Sequence, residues 1–256
     1  MKTLSLLLLC LTLGACALPG LKVAPRIGFY ELSGDGNLAS TPSLDDFDLE
    51  GVGAEDDQTV GARVELKSGA LHLIGSIDVP NFIGDGTIES AIDDGLGNVI
   101  PAGANVDSDL EFLFANGLAA FDIIPGDTLD LSIGIGAAFL RLDQSFVDRN
   151  TNVEVQDEED FLIPVVGGAA SVHLGPVELG GTVSGLSLEF DDDDIFYLNV
   201  DVYGRFKLFG GSNRVRGSIL AGFWWNRTDV SYEDDSIIVS TDLLITAPYV
   251  GFEVSL

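Results

Sequence analysis

The sequence predicts an all-β chain: a single up-and-down antiparallel transmembrane β-barrel of about ten strands, with eight strands plus an extramembrane hairpin as the nearest alternative. Three observations carry this expectation. The 256-residue chain is hydrophobic (46%, mean hydropathy +0.31) yet has a formal net charge of −29, and beyond its first residues no stretch approaches the ~18 apolar residues of a spanning helix. Much of it alternates apolar and polar with period two, the pattern of strands with two different faces. The connections between the candidate strands alternate strictly between tight and long, which in an antiparallel series puts all tight turns and both termini at one end, as in outer-membrane barrels.

The opening MKTLSLLLLCLTLGACALPG has a basic start, a leucine-rich run and small residues, which reads as an export signal. Leu13-Gly14-Ala15-Cys16 resembles a bacterial lipobox, with cleavage before Cys16 and lipidation of that residue; ordinary cleavage after Ala17 is the rival reading. Residues 1–15 are then a signal peptide, 16–23 a short periplasmic linker and 24–256 the barrel. Cys10 and Cys16 are the only cysteines, so the mature chain closes no internal disulfide and holds together by hydrogen bonds and packing.

Ten strands are expected near 24–33, 59–67, 70–79, 106–124, 128–146, 161–174, 177–190, 195–208, 213–230 and 240–256. Tight reversals are marked by Ser68-Gly69, Pro125-Gly126-Asp127, Gly175-Pro176 and Phe209-Gly210-Gly211-Ser212, where Gly admits positive φ and Pro presets φ. Val60, Ala62, Val64 and Leu66 alternate with Arg63, Glu65 and Lys67. The 106–124 run is long for one strand, and Asn116-Gly117 is expected to mark a bulge or kink. Leu129, Leu131, Ile133, Ile135, Ala137 and Phe139 form one face against Asp130, Ser132, Gly134, Gly136 and Ala138. The pattern blurs over 161–174 and 177–190, where a bulge is expected. It returns in 195–208, with Phe196, Leu198, Val200, Val202, Phe206 and Leu208 opposite Tyr197, Asn199, Asp201, Tyr203, Arg205 and Lys207. Val215, Ile219, Ala221, Phe223 and Trp225 then oppose Arg214, Arg216, Ser218, Trp224 and Asn226. A chain with an oily face this continuous is expected to turn it to lipid and its polar face to the lumen. Trp224 and Trp225, with Phe223 and Tyr232, are expected to form an aromatic girdle at the outer interface. Val250, Phe252, Val254 and Leu256 end the chain in the manner of a carboxy-terminal assembly signal, with Leu in place of the usual Phe.

In the run LDDFDLEG, the hairpin TVGARVELKSGALHLIGSID, and the segments VDSDLEF and DTLDLSIGIGAAFLRLD, the chain resembles a group of uncharacterised Gram-negative outer-membrane β-barrel proteins, similar to small barrels of the OmpA and OmpW type. The resemblance implies a fold and a membrane and carries no functional site with it. The partners it implies are outer-membrane lipids and lipopolysaccharide, and the barrel-assembly machinery during biogenesis.

Charge is unevenly spread. Of the 41 acidic residues, 25 lie in five long connections near 33–58, 80–104, 147–160, 191–194 and 231–239. Carboxylate clusters are hard-oxygen ligands, so Ca²⁺ or Mg²⁺ at Asp56, Asp57, Glu158, Glu159, Asp160, Asp191, Asp192, Asp193 and Asp194 is the metal reading; solvated loops that resist aggregation are the plainer one. No cofactor is otherwise expected. Lys22, Arg26, Lys67, Arg205, Lys207, Arg214 and Arg216 gather toward the tight-turn end. The lumen is expected to hold a charge network of Arg63, Glu65, Lys67, Asp201, Arg205, Arg214, Arg216 and Glu253, which in so narrow a barrel plugs it; the small lumen residues Gly134, Gly136 and Gly222 leave a narrow pore open as an alternative. The acidity argues against nucleic acid. His72 and His173 both flank tight turns, far from the acidic loops, which argues against barrel proteases or deacylases with a histidine at the outer rim. The expected function is a non-enzymatic structural or surface-interaction protein of the outer membrane. The alternatives are a narrow channel for ions or small solutes, and a lipid-anchored periplasmic barrel that binds lipid inside.

Overall fold

A computed structural model describes residues 20–36, 47–48, 57–88, 91–93, 97–126, 128–190, 193–209, 215–234 and 237–256. All regular elements among them are strands: β1 (Leu21–Gly36), β2 (Phe47–Asp48), β3 (Asp57–Ser68), β4 (Leu71–Asp78), β5 (Asn81–Thr87), β6 (Ile92–Asp93), β7 (Val99–Ile100), β8 (Asn105–Ile124), β9 (Leu129–Asp148), β10 (Glu154–Leu174), β11 (Val177–Phe190), β12 (Asp193–Phe209), β13 (Arg216–Asp234) and β14 (Ile237–Ser255). β4 and β5 both pair with β8 and make one wall strand, interrupted at Val79-Pro80 because proline offers no N–H to the ladder. Counted so, ten strands run antiparallel, each beside its neighbour in sequence, and β14 returns to β1 from Lys22↔Ser255 to Gly36↔Thr241. The Gly20 N–H donates to the Leu256 carbonyl (3.1 Å) and the Leu256 N–H to Leu21 (2.9 Å), sealing the closure at the termini. The barrel has ten strands, not eight.

Two of the expected tight turns have the geometry their residues favour. Ser68 pairs with Leu71 across Gly69 (φ 62°), and Leu174 pairs with Val177 across Gly175 (φ 68°), left-handed conformations open to glycine.

The wall is inside-out relative to a soluble protein. On β9, Leu129, Leu131, Ile133, Ile135, Ala137 and Phe139 face outward while Ser132, Ala138, Leu140 and Leu142 are buried inside. The same alternation turns Ile27 and Phe29, Val60 and Val64, Phe121 and Ile123, Val202 and Phe206, Ile219 and Phe223, and Val250 and Phe252 outward. Leu129 to Phe139 covers ~34 Å of strand, which at a tilt of ~40° gives an apolar belt about 25 Å tall, the height of an outer-membrane hydrocarbon layer. Charged outward residues bound it on the long-loop side: Glu31, Glu111, Arg141, Asp160 and Arg227.

Five expectations need correction. β1 starts at Leu21 rather than 24. β8 is one continuous strand with no irregularity at Asn116-Gly117; its register shifts instead between Asp122 and Ile124. Three of the expected long connections are not long loops: β9 runs to Asp148 and β10 starts at Glu154, β11 runs to Phe190 and β12 starts at Asp193, and β13 runs to Asp234 and β14 starts at Ile237, so the strands project beyond the belt and tight and long connections do not strictly alternate. The 80–104 connection is not simply solvated, because it continues the wall as β5 and then buries Ile88, Ile92 and Ile100 in the barrel's apolar core. The blurred region of β10 and β11 holds a seam rather than a bulge. The two strands pair from Leu174↔Val177 up to Val166↔Gly185 and no further, although both continue. Pro164, lacking an N–H, lies just past the last pair, and Leu162 beside it is 74% exposed.

Candidate functional site

Inward side chains fill the barrel in two layers. The lower layer, toward the tight turns, is ionic. Arg26 on β1 donates to Asp78 through Nε (3.0 Å) and Nη2 (2.5 Å), and to Asp201 through Nη1 (3.1 Å). Asp201 on β12 also accepts from Arg63 (2.8 Å) and from the Tyr249 hydroxyl (2.5 Å). Arg63 reaches Glu65 (2.9 Å), which accepts from Arg205 (3.2 Å) as well, while Arg205 also meets Glu253 (2.6 Å) and Glu178. All these groups are buried. Charges held this deep persist because each guanidinium faces several carboxylates; removing one partner strands the others without water.

Tyrosine rings brace the layer. Tyr203 packs over Gly180, Tyr249 over Gly222 and Tyr30 over Gly28, where a Cβ would come within 2.7, 2.5 and 2.4 Å of the ring respectively. Arg26 lies 4.6 Å from the Tyr249 ring centre and Arg63 4.7 Å from that of Tyr203. Gly222 is therefore a seat for an aromatic ring and does not widen a pore.

The upper layer is centred on aromatic rings, with the buried polar side chains of Asn199, Asn226 and Thr228 on the same inward faces. Trp224 is 1% exposed and lies 5.4 Å, centre to centre, from Phe114 and 5.7 Å from Tyr30; Phe114 stacks on Phe112 (5.8 Å), which meets Phe82 edge-on (5.7 Å). Leu110, Leu142, Phe146, Leu243 and Ile245 complete it, with Ile88, Ile92 and Ile100 above. This overturns the girdle assignment of Trp224, which follows its inward alternation into the lumen. Trp225 points outward beside Phe223, one residue pair below Arg227, at the upper edge of the belt; the Tyr232 side chain lies outside the described residues.

Of the expected lumen network, Arg63, Glu65, Asp201, Arg205 and Glu253 come together. Lys67 instead sits lower, against Asp122 (3.0 Å) and Asp130. Arg216 is exposed and makes no ion pair among the described residues, and Arg214 lies outside them. Arg26, Asp78, Glu178 and the three tyrosines were missed, although strand alternation puts Arg26 in phase with Lys22 and Tyr249 out of phase with Val250.

The expected acidic cluster at Glu158, Glu159 and Asp160 does not converge. β10 sends Glu158 and Asp160 outward, where Arg141 pairs with both (3.5 and 2.7 Å), and sends Glu159 inward. Glu159 is 8% exposed and neither carboxyl oxygen has a hydrogen-bond partner. It lies above the belt, outside the membrane-spanning part, where burial, and then the neighbouring Asp157, pushes its pKa up to about 7. Asp194 faces outward on β12. Asp56, Asp191, Asp192 and Cys16 lie outside the described residues, as do the side chains of Asp57 and Asp193. Among the described residues no three His, Cys, Asp or Glu side chains gather as a metal site. The acidic outer face is built instead on β8–β10, where Glu111, Asp143 and Glu158 stand in one cross-strand row.

The closed ladder and its lipid-facing belt define a bacterial outer-membrane β-barrel protein. A solved structure agrees on the fold. The outer-membrane protease OmpT from Escherichia coli matches with a TM-score of 0.56 at 10% identity, covering 92% of this chain and 96% of that one. The translocator domain of the autotransporter NalP from Neisseria meningitidis matches with a TM-score of 0.44 at 14% identity, covering 98% and 94%. At these identities the first likeness is one of fold, and the second carries no argument. No protein-family model matches the chain, and neither does any curated protein sequence.

Proposed function

We propose that this protein is a non-conducting, non-enzymatic outer-membrane barrel that works through the acidic surface it presents outside the membrane. The observation that carries this is the double closure of the lumen: an ion-paired layer under an aromatic layer centred on Trp224. A hydrated ion would have to break buried charge pairs and then shed its water among phenyl rings, and each step is costly. The non-enzymatic reading is supported by the positions of His72 and His173, the only histidines, at the tight-turn end. A protease-like constellation using histidine at the opposite rim has no residue to supply it. The periplasmic lipid-binding reading does not fit the belt, because a barrel free in water has no use for an apolar outside. The partners of this reading are the outer-membrane lipids around the belt, the lipopolysaccharide beside the protruding β8–β10 face, and the barrel-assembly machinery in biogenesis.

Planar-bilayer recording of refolded protein tests it, with and without millimolar Ca²⁺. Silent bilayers from protein that shows the heat-dependent gel shift of a folded barrel are the expected result. Discrete, reproducible conductance steps from the wild-type chain would mean that the two layers open, and the narrow-channel reading would replace this one.

A further inference from the structure

Below the ionic layer the lumen widens into a mouth of about 420 Å³ at the tight-turn end, lined by Lys22, Lys67, His72, His173, Lys207 and Arg216 together with Glu65, Asp130 and Glu178. Its carboxylates are already matched. Glu65 accepts from Arg63, Arg205 and Lys22 (3.0 Å); Glu178 faces Arg205 and His173 Nε2 (3.1 Å); Asp130 holds Lys67. The cations are not all matched in return. Of the ten described Lys and Arg residues, eight are in ion pairs. Lys207 and Arg216, which make none among the described residues, both line this mouth.

Their placement is built in by the register. Lys207 on β12 pairs with Ser218 on β13, and Arg216 is two residues from Ser218 on the same inward face, so the two are diagonal cross-strand neighbours ~7–8 Å apart at the backbone. The Lys207 N–H is fixed to the Pro176 carbonyl (2.9 Å) at the β10–β11 turn, beside the strand pair His173↔Glu178. His173 commits Nε2 to Glu178 and has no hydrogen-bond partner at Nδ1. The result is a concave site with two cations that make no ion pair among the described residues, on a chain whose net charge of −29 repels anions elsewhere.

We propose that this mouth binds a small phosphate-bearing anion, with Lys207 and Arg216 gripping the phosphate oxygens and His173 at the wall. The volume is that of a small-molecule pocket, larger than a bare phosphate needs, so the ligand carries a body as well as a charge. Two sources share this chemistry: a soluble phosphorylated compound, and the headgroup of a phospholipid at the adjacent leaflet. The site does not depend on whether the lumen above it conducts.

The test is isothermal titration calorimetry of the full refolded chain in dodecyl maltoside micelles, with inorganic pyrophosphate as the probe. Saturable binding is expected, weakened at least about tenfold in the Lys207→Ser/Arg216→Ser double variant, since its two charge-assisted contacts to phosphate are lost. Both replaced residues are exposed and unpaired, so the gel shift should stay intact. Arg141→Ser, which removes a cation from the outer face instead, should leave binding unchanged. Short-chain phosphatidylglycerol added to the micelles separates the sources: displacement of pyrophosphate assigns the site to lipid headgroups, and its absence to soluble phosphates. Absence of saturable binding, or equal affinity in wild type and double variant, overturns the proposal.

Discussion

Replacing Glu159 by Gln should make the stability of the barrel less dependent on pH in a defined direction. Burial, with help from Asp157, raises the carboxyl from its ordinary 4.5 to about 7 in the folded protein. A carboxyl with a raised folded pKa supports the fold fully below its unfolded pKa, and that support is lost as pH rises through the folded value. The wild-type chain should therefore lose stability relative to Glu159→Gln from about pH 4.5 to about pH 7, then level off. At 1.36 kcal/mol per unit, the 2.5-unit displacement corresponds to about 3 kcal/mol. Urea titrations in lipid vesicles at pH 4, 6 and 8, followed by tryptophan fluorescence, measure it. The glutamine amide carries its own burial cost, but that offset does not vary with pH, so the quantity to read is how the difference between the two proteins changes. A gap of equal size at pH 4 and pH 8 would refute the reasoning, because Glu159 would then titrate alike in the folded and unfolded chains. Asp157→Asn should shrink the effect without abolishing it, since Asp157 is the lesser cause.

Three further outcomes are expected. Asp201→Asn removes the charge shared by Arg26, Arg63 and Tyr249 and should cost about 3–5 kcal/mol in the same urea titration; Arg141→Ala, which breaks an exposed pair with Asp160, should cost less than about 1 kcal/mol. Trp224→Ala with Phe114→Ala hollows the aromatic layer and should give flickering low conductance where the wild type is silent; continued silence would move the barrier to the ionic layer alone. Amides on the facing edges of 161–165 and 186–190 should exchange with deuterium faster than those of the paired stretch from Val166↔Gly185 to Leu174↔Val177.

Strand number, the turns at Gly69 and Gly175, and which wall residue faces which solvent could be read from the sequence because the belt forces apolar residues outward and the period-two rule does the rest. β9 and β12 are the clearest cases. The reading failed where that contrast disappears. Beyond the belt, outward positions of β10 are Glu154, Gln156, Glu158 and Asp160, and inward ones include Asp157 and Glu159, so an extended strand looks like a charged loop. Alternation also says nothing of who meets whom across the lumen. Carried through β1 and β14 it puts Arg26 and Tyr249 inside, a step the sequence reading did not take, and only the closed register brings them 4.6 Å apart. Trp224 followed its alternation inward, whereas a general preference of tryptophan for interfaces had placed it outside. For Gly222, small size hinted at open space, while in the structure the glycine is small because Tyr249 occupies the room.

The return of β14 to β1 makes the hydrogen-bond ladder a circuit, and a circuit ties its parts together differently from an open sheet. In an open sheet an inserted residue can be passed to a free edge and lost there. Here each strand's offset from the next must sum to one fixed total around the ring, so a slip at any pair has to be returned by another pair or the ends fail to meet at Gly20 and Leu256. Length changes should therefore be tolerated almost entirely in the connections, and the longest stretch of described wall able to absorb a local mismatch is the unpaired run above Val166↔Gly185. What looks like a defect in the barrel would then be its expansion joint.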